Sequence, residues 1–378
     1  MTNIASLRVA MTLFFTRTIV GPVILFTSVG ANAIEPDIPR LQAEAERGSI
    51  RQQIELGAAY LVGRGVAQSE NLAAYWYEKA ANAGDPVAQN QVGYFYQVGL
   101  GVPRDSNRAV RWYERAAAGG FAKAKVNLGV AYLWGLGVRK DEALAKQFFE
   151  EATTRGNGLG ACYLGDMYYF GKGVPIDKKS AEHWYAIGAK LHDPKAQYRL
   201  GLLLSVDQGH AVDLKRAIPL LRESANAGLV PAKHQLGLLL VQNPLLALSS
   251  GEGLSLLKEA AEAGSWKSSA VLGVLARDGR GMPADVGEAY FHFRAAILQG
   301  GEPASRTVAN DIQTLSAKLG PEKVLGVERQ ASMWFQNHHL SLEFVYKGGD
   351  SWKEFPAFAL QTPDGDVHAD RLIATAQF

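Results

Sequence analysis

The feature that most constrains this chain is an interval. An apolar–glycine pair occurs at Leu56-Gly57, Val92-Gly93, Leu128-Gly129, Leu164-Gly165, Leu200-Gly201, Leu236-Gly237 and Leu272-Gly273, always 36 residues after the last. Seven copies without drift imply a repeat architecture, in which each unit is too small to bury its own apolar face and stacks on its neighbours. Other columns keep the same step. Five residues before the glycine stand Ala88, Ala124, Gly160, Ala196, Ala232 and Ser268, with Gln52 as the exception. Three residues after it stand Tyr60, Tyr96, Tyr132 and Tyr168, then Leu204, Leu240 and Ala276. These positions share one face of a helix. Each repeat therefore has a first helix whose small residues admit a close neighbour.

A second helix follows in each unit. Its N-cap column reads Ser69, Asp105, Asp141, Asp177, Asp213, Ser249 and Asp285, side chains able to accept from the free N–H groups of a first helical turn. Ser249 with Glu252 and Asp285 with Glu288 have capping-box spacing. A small-residue column (Ala73, Ala109, Ala145, Ala181, Ala217, Gly253, Ala289) precedes a bulky one (Trp76, Trp112, Phe148, Trp184, Leu220, Leu256, His292). Beside the latter run Tyr77, Tyr113, Phe149, Tyr185, Leu221, Leu257 and Phe293, all expected to fill the seam between successive helix pairs. The second helix ends on Gly84, Gly120, Gly156, Gly228, Gly264 and Gly300, expected as left-handed C′ residues, with His192 in the remaining copy. The first helix exits through Gly-x-Gly turns at 63–65, 99–101, 135–137, 171–173 and 279–281. Units five and six replace that turn with Asp207-Gln208-Gly209 and Asn243-Pro244-Leu245.

The expected fold is all-α: a right-handed α-α superhelical solenoid of about seven 36-residue helix-turn-helix repeats with a C-terminal capping helix. Residues 34–337 form it, with a lone helix at 36–47, a degenerate first helix at 302–319 and a cap from about 321, anchored by Trp334. Over 338–378 the style changes. Leu340, Leu342, Phe344 and Tyr346 alternate like a strand and Thr362-Pro363-Asp364-Gly365 is a turn signal, so a loose extension or small hairpin is expected.

Residues 1–33 read as a signal peptide: Arg8 and Arg17, an apolar run from Ile19 to Val29, and the Ala31-Asn32-Ala33 cleavage pattern. The run is short for a membrane span and is broken by Gly21-Pro22. The expected product is a soluble periplasmic protein, extracellular location being the alternative. Arg8 and Arg17 account for the whole excess of 39 basic over 37 acidic residues. A balanced remainder argues against nucleic acid as a partner. One cysteine excludes an intrachain disulfide framework.

The repeat columns resemble the Sel1-like repeat family, relatives of the tetratricopeptide repeat. The second unit carries the resemblance in full: Val92-Gly93, Tyr96, Gly99, Gly101-Val102, Asp105, Ala109, Trp112-Tyr113, Ala116-Ala117 and Gly120. The resemblance implies a solenoid acting as a non-enzymatic protein–protein adaptor, like periplasmic signalling regulators, polysaccharide-export scaffolds or host-interaction factors among secreted bacterial members. Its partner is then an unidentified protein or peptide, and no small-molecule cofactor is implied. An exported factor acting on a host or another cell is a second reading. A β-lactamase-like or cell-wall hydrolase is a third, but Cys162 stands alone where Cys-rich relatives of that kind carry paired cysteines.

No residue set in the chain points to catalysis. The Gly-x-Gly-Val turns lack a following Gly-Lys-Ser/Thr and exit a helix, where a phosphate loop follows a strand. His338-His339 has no second ligand at metal spacing. Cys162 has no evident histidine base. In a tetratricopeptide-like stack the first helices line the concave side. Positions −3, +1, +4 and +5 from the glycine are there free of the seam. In units two to four these include Asn90, Tyr94, Gln97 and Val98; Val126, Val130, Leu133 and Trp134; and Cys162, Asp166, Tyr169 and Phe170. Tyr94, Trp134, Tyr169 and Phe170, with Gln97 and Asp166 beside them, are the candidate binding stripe, since aromatic side chains commonly anchor interfaces. The alternative is that they complete the core.

Overall fold

The computed structural model describes residues 37–205 and 212–346. Among these the chain forms sixteen α-helices and one short 3-10 turn. It packs as two compact units, one up to Ala124 with Leu136–Arg139, the other from Lys125–Gly135 and Lys140 onward.

The first unit holds α1 (Ile38–Glu46), α2 (Ile50–Val62), α3 (Glu70–Asn82), α4 (Pro86–Val98) and α5 (Ser106–Ala118), each packed on the next. α6 (Ala122–Trp134) has its first three residues here and the rest in the second unit. The second unit continues with α7 (Glu142–Thr154), α8 (Gly158–Phe170), α9 (Lys178–Lys190), α10 (Pro194–Ser205), α11 (Leu214–Asn226), α12 (Val230–Gln242), α13 (Glu252–Glu262), α14 (Trp266–Asp278), α15 (Val286–Leu319) and α16 (Pro321–Tyr346). From α7 onward each helix again packs on its successor, and the first helices of neighbouring repeats touch directly, α8 on α10 and α10 on α12. This is the all-helical repeat fold of the α-α solenoid class.

Helix ends follow the sequence columns. Ser69, Asp105, Asp141, Asp213 and Asp285 accept from the N–H three residues on, and Asp177 from that of Lys179. A second cap column serves the first helices: Asp85, Asn157, Asp193 and Ser265 accept from Ala88, Gly160, Ala196 and Ser268. The expected Ser249–Glu252 capping box does not form. α13 begins at Glu252 behind Gly251, and Glu252 instead accepts from the Leu248 N–H. His192 does adopt the left-handed conformation, at φ 56°. The expected C′ glycine at Gly300 is displaced by one residue. The break in α15 falls at Gly301 (φ 60°, ψ −135°), outside the left-handed helical region, and Gly300 lies against the Trp266 ring.

The repeat glycines are seats for rings. A Cβ added at Gly93 would lie 2.6 Å from the Tyr113 ring, at Gly129 2.4 Å from Phe149, and at Gly165 2.4 Å from Tyr185. Each ring belongs to the second helix of the same repeat, and two rings of this column also reach the next one. Tyr77 meets Phe95 edge-on at 5.4 Å, and Phe149 stacks on Tyr163 at 4.9 Å. Tyr113, Phe149, Tyr185 and Phe293 are buried. In the Trp column Trp76 and Trp112 are buried, but Trp184 is only half-buried.

In the second and third repeats the second glycine of the Gly-x-Gly turn serves stacking as well as turning. A Cβ at Gly101 would lie 2.1 Å from the Glu70 carbonyl oxygen and at Gly137 2.2 Å from that of Ser106. Both glycines have positive φ. The turn therefore lies backbone to backbone on the preceding repeat, an approach that a side chain forbids.

α16 extends to Tyr346, so the backbone over 340–346 is helical where the alternation predicts a strand. A long helix already packed on α15 propagates more cheaply than an unpaired strand forms. The turn signal at 362–365 and the signal-peptide region lie outside the described residues. Among the described residues no helix is long and apolar enough to cross a membrane.

Gly129→Ala should lower stability by about 1–3 kcal/mol through overpacking against Phe149. Phe149→Ala should then cost less in that background than in the natural chain. Urea unfolding of the four-member mutant cycle measures this, and strictly additive losses would contradict the ring-on-glycine account.

Candidate protein-binding face

Each stripe residue has a definite place in its own unit. In the first unit Tyr94 is half-buried on α4, and burial raises its hydroxyl pKa above the ordinary tyrosine value. Gln97 is tied inward: its Oε1 accepts from the Tyr113 hydroxyl, and Arg104 Nε donates to its backbone oxygen at 3.2 Å. Asn90 is buried.

In the second unit Trp134 ends α6, half-buried, with Lys172 Nζ 5.9 Å from its ring centroid. It packs on the cluster of Val126, Leu133, Phe149 and Leu164. Tyr169 and Phe170 end α8 and meet edge-on at 4.7 Å. Tyr169 also packs against Leu200 and Leu203. Trp134 and Tyr169 flank buried clusters while staying half-buried, and Phe170 is half-buried beside Tyr169.

Asp166 is the residue whose role the structure changes. Expected on an open groove, it is 6% exposed. Its Oδ1 accepts from the Tyr185 hydroxyl at 2.6 Å and from Arg199 Nε at 3.0 Å. Arg199 stands two residues before the next repeat's glycine, so this ion pair ties α8 to α10 while Tyr185 ties in α9. A buried acid needs such partners, because an unpaired charge pays its full desolvation. The burying contacts, not solvent, own this carboxylate.

A polar column four residues before the repeat glycine went unread in the sequence. Gln53 and Gln89 donate to the Ala45 and Ala81 carbonyls at the end of the preceding helix. Lys125, Gln197 and Lys233 reach Glu151, Glu223 and Glu259 of their own repeat. The signal was recurrence: each of these pairs to glutamate is 26 residues apart.

The chemistry here is structural. Burial pushes the Cys162 thiol well above its usual pKa, the reverse of what a nucleophilic thiolate requires. His234 Nδ1 lies 2.8 Å from Ser268 Oγ, but Ser268 is fully buried in the small-residue column. Burial, with Lys267 nearby, lowers the His234 pKa to about 4, and burial, with Lys258 nearby, lowers His292 likewise. His338 Nδ1 lies 2.8 Å from the Trp334 carbonyl. Among the described residues no group of His, Cys, Asp or Glu is placed to hold a metal ion.

Comparison with known proteins agrees with this geometry. The model of the Sel1 repeat matches residues 53–85, 86–121, 122–157, 158–193, 194–229 and 268–301, more than half of the chain. The chain belongs to the Sel1 repeat family. Among solved structures it is similar to a Sel1 repeat protein from Oxalobacter formigenes, at 27% identity over 60% of this chain and 100% of that one, with a TM-score of 0.52. It is also similar to a protective antigen of uropathogenic Escherichia coli strains displaying an SLR fold, at 23% identity over 82% and 73%, with a TM-score of 0.43. An immunity protein from Pseudomonas aeruginosa matches at 18% identity over 52% and 79%, with a TM-score of 0.39. No curated protein sequence matches. The Sel1 matches skip residues 230–267, the repeat in which both the Gly-x-Gly turn and the second-helix cap are altered.

Two measurements test this Sel1 protein's buried polar groups. Arg199→Met should cost about 3–5 kcal/mol, because Asp166 is left charged and buried. The Asp166→Asn/Arg199→Met pair should recover part of that loss in chemical denaturation. The histidines give a pH dependence. Their folded pKa is depressed, so the unfolded chain binds more protons between about pH 6.5 and 4, and stability falls as pH drops through that window. His234→Gln should flatten the fall, and an unchanged pH profile would contradict the assignment.

Proposed function

We propose that this Sel1 repeat protein is a non-enzymatic scaffold that works in the bacterial periplasm and binds a protein or peptide segment along the face built by its first helices. The observation that supports this most is the direct packing of α8 on α10 and α10 on α12, which sets these three first helices side by side, with Trp134 of α6 packed on the cluster that includes Leu164 of α8. Aromatic side chains at its edge remain half-buried rather than buried. Large, stiff side chains that are part-held by the core lose little entropy on binding and make effective anchors. On this reading Trp134, Tyr169 and Phe170 are contact residues, Tyr94 is a further one in the first unit, and Gln97 and Asp166 position the rings around them. The periplasmic location is inferred from the Arg8/Arg17, apolar-run and Ala-x-Ala pattern.

A photo-crosslinking residue at position 134 in living cells should yield a discrete protein adduct. Trp134→Ala with Tyr169→Ala should reduce the captured partner's affinity at least tenfold in a chain that retains its helical content. Unchanged binding by that folded double variant would refute the face. N-terminal sequencing of the exported protein should begin at Ile34, and recovery of the protein only from the cytoplasm would refute the location.

A further inference from the structure

The same repeat positions carry a closed polar cluster in the fourth repeat and an open one in the second. In the fourth repeat the second-helix tyrosine, Tyr185, and Arg199 both bond to Asp166, one residue after the repeat glycine. In the second repeat the corresponding tyrosine is Tyr113, and the residue after Gly93 is Tyr94. Tyr113 bonds instead to Gln97, four residues after that glycine, its hydroxyl donating to Oε1. Burial, and then the nearby Tyr94, hold the Tyr113 pKa well above the ordinary tyrosine value, so this hydroxyl keeps its proton and can donate it. Its ring is seated in the Gly93 notch.

That bond orients an amide. Tyr113 holds Oε1, so the other end of the Gln97 amide is Nε2, which carries two donors and no acceptor. Gln97 is half-buried, and among the described residues its Nε2 has no hydrogen-bond partner and is not buried. The hydroxyl of half-buried Tyr94 has no partner there either. Gln91 completes the row: it is 4% exposed, and its Nε2 is buried without a partner. Gln91, Tyr94 and Gln97 follow one another at three-residue steps on α4, a ridge with about 4.5 Å of axial rise between successive members. Folded proteins pair nearly all such groups, because a buried donor without a bond has lost the one it made to water.

We propose that Gln97, oriented by Tyr113, is a specificity-determining donor of the binding face, and that its Nε2 takes a main-chain carbonyl oxygen of an extended protein segment laid across Tyr94. The donor is neutral, and a carbonyl is far less costly than a carboxylate to bring out of water against a neutral donor. Carbonyls inside a helix or a sheet are already bonded, so the acceptor belongs to a segment without such pairing. This inference rests on the scaffold reading above. It gives the first unit a hydrogen-bonding contact, where that reading has Gln97 only position its neighbours.

The test uses the full chain and a phage-displayed library of short random peptides, keeping sequences that bind the natural chain but not a folded Tyr94→Ala variant. One selected peptide is synthesised with each amide in turn replaced by an ester, which weakens that carbonyl as an acceptor. The unmodified peptide should bind Gln97→Glu, which keeps the acceptor for Tyr113 and lacks the donor, at least tenfold more weakly than the natural chain. One ester should weaken binding to the natural chain about tenfold and to Gln97→Glu less than twofold. Tyr113→Phe should weaken the unmodified peptide at least threefold and add nothing in the Gln97→Glu background. Circular-dichroism melts check that the variants fold, and the ester series on the natural chain needs no variant. Binding of Gln97→Glu within twofold of the natural chain would overturn the proposal, as would an ester series with no sensitive position. So would peptides that lose all binding when their C-terminal carboxylate is amidated, or neutral oligosaccharides whose binding Gln97→Glu abolishes. A synthetic peptide of residues 347–378 that displaces the selected one would assign the row to self-coverage and also overturn it. Failure to select any Tyr94-dependent peptide overturns it too. A protein adduct at position 134 leaves the scaffold reading standing when the Gln97 contact fails, and absence of both removes it.

Discussion

The fold depends on a ring lying where a side chain is missing. In each repeat the glycine of the first helix leaves a notch, and an aromatic or leucine side chain of the second helix occupies it. The contact brings two helix backbones closer than any Cβ-bearing residue allows and fixes their rotation about each other. Where the same ring reaches the following repeat, as Tyr77 reaches Phe95 and Phe149 reaches Tyr163, one side chain sets both the geometry within a hairpin and the stacking onto the next. Small-residue columns elsewhere on these helices are fully buried for the same reason.

Polar groups then set register. In five of the seven repeats the side chain four residues before the glycine ties the first helix to a neighbouring helix end or to a glutamate of its own repeat. Asp166, Tyr185 and Arg199 join three consecutive helices. Apolar stacking alone tolerates sliding, whereas buried polar groups tolerate little, since each displaced bond leaves a group desolvated and unpaired. The Gly-x-Gly turns at 99–101 and 135–137 add backbone contact between repeats. In the sixth repeat the turn has lost both glycines and carries exposed leucines instead.

The stack encloses several groups that chemistry would otherwise use. Its one thiol is buried and protonated, its buried histidines are neutral at ordinary pH, and Ser268 is sealed in the stack. Among the described residues, Trp134, Tyr169 and Phe170 are ordered but only half-buried, and Leu245 and Leu248 are exposed. Membership of the Sel1 repeat family accords with a scaffold. The broken pattern over residues 230–267 separates this chain from a uniform array.

The sequence by itself determined the repeat. The Asp caps and the left-handed glycines act over a few residues, and Gly57 through Gly273 each meet a side chain 20 residues on in the same repeat, so all recur at a fixed step. His192 in the left-handed region is such a case. The ends of the pattern were less legible: helix continues through Leu340–Tyr346 because α16 was already nucleated against α15, a tertiary fact. The site was legible only in part. Trp134, Tyr169 and Phe170 could be placed on a helix face by counting. Whether Asp166 met solvent or Arg199 depended on a residue 33 positions away and on how closely α8 and α10 approach. Tertiary packing alone decided which side chains on a common face were spent inside the stack and which were left for a partner, because burial is a property of neighbours and not of spacing.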